Sequence, residues 1–409
     1  MITPRRSPWG ARSAGRHHAP LLFVLALLAV EFLHPSQASA HAWMIRHGYT
    51  GCAACHLDPS GGGLLTPYGR AQGTLLMSER WGTLDDEDTA NLGQFLFGAA
   101  PLPSSVSLGG DFRAAALVTS VDGQAATGRV LLMQADVGIA VNTGRFRSQA
   151  TLGFASSGAF AAAIVGGDNA RLVSRTHWVG VDLGADRRVL LRLGRMNVPF
   201  GIRSIEHTLF ARRETHTDVN VSQQHGVAIA YTGQKVRGEV MAILGNYQLR
   251  PDRYRERGYS AFLEYAPTEH VAFGASSLLT HAAADLTTQN PVLRQAHGGF
   301  VRYSPAEWLV LSAEADYLRR AEPHRHTHGL AAYAQADFQV TEGLHLIGTL
   351  ECDDSDTKNL PYSYAGWTSV AWFFAPHADL RIDGVLQSIA VPYARVRAEA
   401  LVVQLHFYL

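Results

Sequence analysis

The chain has 409 residues, enough for two or more domains, and a formal net charge of zero, which gives a nucleic-acid backbone nothing to attract. Apolar residues make up 47%, yet beyond the N-terminus no run is long enough for a spanning helix. Glycine is abundant and evenly spread, which suits many short strands and turns better than helices.

At the N-terminus Arg5, Arg6, Arg12 and Arg16 precede an apolar run from Leu21 to Leu33, followed by Ala38-Ser39-Ala40. A basic start, an apolar stretch and a small-residue cleavage pattern make a secretory signal. Residues 1–40 are read as that signal, with His41 opening the mature chain. Glu31 inside the apolar run argues against a retained anchor.

Next comes Gly51-Cys52-Ala53-Ala54-Cys55-His56. Cys-x-x-Cys-His is the attachment sequence for c-type haem. Thiols at this spacing share one side of a helical turn, where both vinyl groups of a porphyrin can be reached. The adjacent imidazole then serves as proximal iron ligand. A redox dithiol would need a thioredoxin-like βαβ setting, which does not follow. A zinc site would need a second ligand pair nearby, and the one remaining cysteine is Cys352. The expectation is one covalent haem c, with Cys52 and Cys55 as thioether residues and His56 as axial ligand. Export fits this, since bacteria attach such haem outside the cytoplasm.

Candidates for the sixth ligand are His47 and Met77, then Met44 and His41, with an empty sixth position as the alternative. Arg70, in Pro67-Tyr68-Gly69-Arg70, is a candidate partner for a haem propionate, against a plain surface arginine. The haem segment, 41–106, is too short to build much core unaided, so the cofactor would serve as its apolar centre. Thr83-Leu84-Asp85-Asp86 resembles a capping box with Glu87 and Asp88 in the first turn, and Ala90, Leu92, Phe95 and Leu96 would give that helix an apolar face. Pro101-Leu102-Pro103 ends it.

From 107 to 409 the period changes to two. Leu131, Met133, Ala135, Val137, Ile139 and Val141 alternate with Leu132, Gln134, Asp136, Gly138 and Ala140; 309–318 and 379–386 behave alike. About sixteen strands are predicted, near 107–118, 129–141, 145–155, 175–183, 188–195, 225–232, 235–244, 259–265, 271–279, 295–303, 309–318, 329–338, 344–351, 363–374, 378–387 and 396–408. Every second connection is short, as in Asn142-Thr143-Gly144, Gly233-Gln234 and Thr341-Glu342-Gly343, and those between are longer. An even strand number with short turns at one end and long loops at the other marks an outer-membrane barrel; a soluble sandwich gives no reason for that alternation. The end, Val403-Gln404-Leu405-His406-Phe407-Tyr408-Leu409, resembles the closing strand through which barrel-insertion machinery recognises bacterial barrels. The fold class is therefore all-β: a transmembrane antiparallel barrel with a small α-helical haem segment.

Such a barrel puts its short turns and both its ends on the periplasmic side. The haem segment would hang below the barrel or plug its lumen. In layout the whole mature chain resembles the fused mono-haem cytochrome–porins of the outer membrane, the iron-oxidising cytochrome–porin type. Thr50-Gly51 before the motif and Tyr68-Gly69-Arg70 after it are similar to that family's pattern; its Phe-Ala-Arg lead-in is replaced by Met44-Ile45-Arg46-His47. Leu193-Gly194-Arg195-Met196-Asn197-Val198-Pro199-Phe200-Gly201 is similar to a segment of phosphate-selective-type porins.

Among the loops, His324, His326 and His328 lie on one side of an extended chain and suit a divalent metal; Asp353, Asp354 and Asp356 offer hard oxygen ligands. For both sets, solvated loop residues are the competing reading. His207, Arg212, Arg213 and His216 lie in the longest connection, 196–224, read as an exposed loop with folding into the lumen as the alternative. Cys352 is read as a free thiol.

The functional expectation is an electron conduit. Its haem, in or at the barrel, would pass electrons between an external donor or acceptor, Fe(II) among them, and a periplasmic cytochrome or other redox protein. The alternative is a diffusion porin for small solutes whose haem segment is a gate, sensor or docking module. Whether the chain is an Fe(II) oxidoreductase is left open, and no distal acid–base set for a haem peroxidase is visible. Lipid of the outer membrane is an expected partner; nucleic acid is not.

Overall fold

Strands that alternate apolar and polar satisfy both faces when the sheet closes on itself, with lipid outside and a polar interior. A computed structural model describes residues 42–79, 91–154, 172–204, 206, 208–219, 221–359 and 361–409. The signal 1–40, His41, His207 and the capping box from Thr83 with Ala90 lie outside the described residues. The strands are β1 (Val106–Val121), β2 (Thr127–Thr143), β3 (Phe146–Phe154), β4 (Leu172–Leu183), β5 (Val189–Met196) and β6 (Gln224–Thr232). After them come β7 (Val236–Gly245), β8 (Arg257–Thr268), β9 (Val271–Ala282), β10 (Val292–Ala306) and β11 (Leu309–Glu322). The last are β12 (Arg325–Thr341), β13 (Leu344–Asp354), β14 (Ser363–Ala375), β15 (Ala378–Val391) and β16 (Ala394–Tyr408).

All sixteen pair antiparallel with their sequence neighbours, and β1 pairs with β16 from Asp111↔Tyr408 to Val121↔Ala398, closing the barrel. Each predicted strand is present. The differences lie mostly at the long-loop end, where β10, β11, β12 and β15 run several residues further than alternation showed. There the wall leaves the apolar zone, and alternation fades where both faces are polar. Two connections at that end are tight turns instead of loops: Pro323-His324 and Pro392-Tyr393.

Outward positions are apolar, Val130, Val137, Phe146 and Leu350 each being more than two-thirds exposed. So large a continuous apolar exterior suits lipid and not water. At the short-turn end outward aromatics pair: Trp308 with Phe338 at 4.9 Å, Tyr265 with Phe273 at 5.6 Å, Trp372 with Phe374 at 5.6 Å. Inward positions carry buried charge, among them Arg192, Glu239, Glu264, Arg302, Glu314, Asp337 and Arg381.

Two pieces of chain fill this interior. One is the connection between β5 and β6, which overturns the exposed-loop reading. Its apolar residues Val198, Phe200, Ile202, Leu209 and Phe210 are buried among inward side chains of the wall. The backbone NH of Ile202 donates to Glu314 at 2.7 Å and that of Gly201 to Ser276 at 2.8 Å. A short helix, α2 (Phe210–Glu214), turns Arg212 onto Glu314, and Glu206 meets Arg381 at 2.8 Å. Lumen carboxylates pair with the loop's arginine and cap its amides, so the wall itself draws the loop in. The second piece is 42–79.

Candidate functional site

Residues Ala42–His47 form a 3-10 turn at the short-turn mouth. Trp43, Met44, Ile45 and Met77 pack there against Ala266, Ala272, Val310, Ile347, Ala371 and Phe373. Arg46 anchors this plug, its Nη2 2.7 Å from Asp337 of β12 and its Nη1 donating to Gln339 at 2.7 Å. Further in, Arg302 donates to the Thr50 carbonyl at 2.6 Å.

The Cys-x-x-Cys-His motif makes one helical turn: the amides of Cys55 and His56 both donate to the Cys52 carbonyl, at 3.2 and 2.9 Å. Thr66 ties it to the helix that follows, α1 (Pro67–Met77). Its hydroxyl donates to the Ala54 carbonyl at 2.6 Å and caps the Gly69 amide at 3.0 Å. Gly69 is required by contact, since a Cβ there would lie 2.3 Å from the Cys55 carbonyl oxygen. Asp58 is fixed by Ser60 and reaches Arg192 at 3.2 Å.

Cys52 and His56 open on one lumen cavity of about 240 Å³, shared with Gly61–Gly63, Leu64, Arg203 and His406. The three glycines have φ of +94°, +83° and +69°, and a Cβ at Gly61 would stand 3.0 Å from the Cys52 sulfur. Only glycine both adopts that backbone and leaves this sulfur reachable. Arg237 donates to the Cys52 sulfur at 3.2 Å. Burial lowers the pKa of His56 to about 4, against a backbone hydrogen bond to Gly63, so the ring is neutral near pH 7, the form that ligates metals. Arg203, its pKa lowered by burial, donates to the Ser60 hydroxyl at 2.9 Å.

These residues fit a covalent porphyrin in donor chemistry: two thiols on one helical turn, a neutral imidazole beside them and cations on the same cavity. In volume the cavity exceeds the ~150 Å³ that encloses a benzene ring. Cys55 packs against Cys52 and the backbone of Gly69, off that cavity. His47, Met44 and Met77 are also away from it, at the mouth plug. Burial and the adjacent Arg46 lower the pKa of His47. Arg70 is buried elsewhere, donating to the Leu108 carbonyl and lying 5.9 Å from the Phe95 ring. Leu92 is buried, whereas Phe95–Gly98 is a 3-10 turn in which Leu96 is exposed.

The loop sets do not assemble as metal sites. His324 sits in the tight β11–β12 turn and His326 and His328 in β12, where Tyr317 hydrogen-bonds the latter. Asp353 faces Arg213 at 3.6 Å, Asp356 faces Arg325 at 3.3 Å, and Asp354 accepts the Asp356 amide. Among the described residues no group of three His, Cys, Asp or Glu side chains could hold a metal ion. Cys352 forms no disulfide. Of the other loop residues, Arg212 is buried on Glu314, while Arg213 and His216 stay near the surface.

Sequence reasoning missed the anchors Arg192, Arg237, Arg302 and Asp337. Their one sequence signal was a charged residue on the inward parity of a strand.

The fold is that of outer-membrane porins. OmpT of Vibrio cholerae in its trimer form is 12% identical with a TM-score of 0.58, over 74% of this chain and 99% of that one. An anion-selective porin from Comamonas acidovorans gives 10% and 0.56, over 75% and 99%. The outer membrane channel DcaP of Acinetobacter baumannii gives 12% and 0.55, over 74% and 97%. No family model and no curated protein matches the sequence.

Proposed function

We propose that this chain works in the bacterial outer membrane as a porin-type barrel whose interior is occupied by its own N-terminal segment, and that this segment carries a covalent haem c and serves electron transfer. The apolar exterior and the porin neighbours support the membrane placement. The observation that carries the redox part is that Cys52 and His56 open together on a cavity inside the lumen, within the height of the wall. A haem held by Cys52 and His56, and by Cys55 once that thiol turns from Gly69 onto the cavity, would supply a one-electron iron couple. The protein's own residues do the rest. Arg46, Arg302 and Arg192 fix the segment, Gly61 leaves the Cys52 sulfur open, and Arg203 places a cation on the cavity. The band to be crossed is ~25 Å tall, too far for a haem hanging beneath it and less for one inside. Partners on this reading are a periplasmic cytochrome and an external donor or acceptor such as Fe(II).

The second reading is a small-solute porin in which 42–79 is a gate. The neighbours favour it, since they include a channel and an anion-selective porin. One experiment separates the two: liposomes enclosing an oxidised dye receive the protein, and Fe(II) is added outside. Dye reduction that disappears in Cys52→Ala supports the conduit. Unchanged dye with free passage of small sugars supports the porin.

A further inference from the structure

Two features of the outer wall adjoin on β10, β11 and β12. The first is a groove of about 740 Å³, floored by Gly299, Ala315, Ala332 and Ala334 and flanked by Leu350 and Tyr364. Small side chains at neighbouring outward positions sink the wall there.

The second lies on the same strands toward the long-loop end. His297 is opposite Tyr317, and Arg319 is opposite His328. Arg319 faces out, because Arg320 beside it turns inward to Asp285 at 3.3 Å. Among the described residues no carboxylate pairs with Arg319, and its Nε has no hydrogen-bond partner. Each imidazole has Nδ1 engaged, His297 by Ser277 at 3.0 Å and His328 by Tyr317, which leaves Nε2 for a ligand. Outward positions of β9 to β12 carry no Asp or Glu. At the opposite end the outward positions of these strands are aromatic, Phe273, Tyr303 and Phe338, and the charges there are the turn carboxylates Glu269, Glu307 and Glu342. Four residues at ~3.4 Å each put Arg319 about 14 Å above Ala315, so one lipid-sized amphiphile reaches both features.

We propose that the groove and its cationic rim bind one anionic phosphate-bearing lipid, an acyl chain lying over Gly299, Ala315 and Ala332 and the phosphate meeting Arg319, His297 and His328. This rests on the membrane placement proposed above. The test reconstitutes the full chain in vesicles of phosphatidylcholine with one-fifth phosphatidylglycerol of the same acyl chains. Mild detergent extraction and native mass spectrometry then count the retained lipid. Corrected for their proportions in the vesicle, wild type should retain phosphatidylglycerol about fivefold over phosphatidylcholine, the ratio ~1 kcal/mol per surface cation gives. Arg319→Gln should bring the ratio near one. Gly299→Leu should reduce retention of both lipids, and its Cβ has room, 3.6 Å from the Gly274 oxygen. Equal retention by wild type, or a preference unchanged in Arg319→Gln, overturns the proposal. So does displacement of the lipid by millimolar inorganic phosphate with Gly299→Leu unaffected, which would mark a free-anion site. A wild-type chain that inserts into no vesicle defeats the membrane placement and this proposal with it.

Discussion

Arg192 of β5 and Asp58, just after the Cys-x-x-Cys-His motif, meet at 3.2 Å with both side chains enclosed. Arg192 also binds Glu239 and lies 5.1 Å from the Trp178 ring. A wall guanidinium thus holds the lumen segment at the end nearest His56, as Arg46 on Asp337 holds it at the mouth. Asp58→Ala leaves Arg192 with Glu239 but takes away the segment's ion pair to the wall at this end. Asp58→Ala should therefore release 56–65, read as faster hydrogen exchange at the Leu57 and Gly61 amides. Unchanged protection would show that Arg192 does not position the segment.

At the mouth, Arg46→Ala leaves Asp337 with His345, 2.8 Å away, and removes the tether of the Trp43 plug. Sugar-driven swelling of liposomes carrying this variant should be faster than with wild type. Equal swelling would mean that the apolar packing of Trp43, Ile45 and Met77 seals the mouth alone.

Gly201, at φ +58°, has no space for a side chain, a Cβ there lying 2.2 Å from a Glu314 oxygen. Gly201→Val should force the β5–β6 connection away from the wall. Exchange at the Gly201 and Ile202 amides, now tied to Ser276 and Glu314, should rise by at least about tenfold, the ratio 1.4 kcal/mol gives. Retained protection there would contradict the inward loop.

The strands were legible because period two survives over every stretch facing lipid. The tight turns at Pro323-His324 and Pro392-Tyr393 were not, since β11, β12, β15 and β16 continue beyond the lipid-facing zone. The inward loop escaped because Phe200, Leu209 and Phe210 follow no period, and the loop's anchors, Glu314 for the Ile202 amide and Glu351 for the Phe210 amide, lie far along the chain. The motif at Cys52–His56 is local chemistry and reads directly. Its supports are long-range: Arg192, Arg237, Arg302 and Asp337 come from strands that only barrel closure brings together.

The loop between β9 and β10 should respond to acid. Burial raises the pKa of Asp285, but amides of Thr288 and Thr287 with Arg294 and Arg320 outweigh it and set the value at about 2, below the usual 3.8. A folded-state pKa below the unfolded one contributes stability above pH 4 that is lost as pH falls through 2. Protection factors at the Thr287 and Thr288 amides should fall across that window, and Asp285→Asn should show the low protection already at pH 7. A protection factor unchanged across that window in wild type would refute the role given to Asp285.

Covalent haem on the lumen segment is what separates an electron conduit from a gated porin. The direct measurement is the pyridine haemochrome spectrum of the denatured, purified chain after expression with a working c-type maturation system. Absorbance for one haem per chain should stay with the polypeptide and be lost in the Cys52→Ala, Cys55→Ala double variant. A wild-type chain folded as a barrel and showing no haemochrome would contradict the conduit and leave the gated porin.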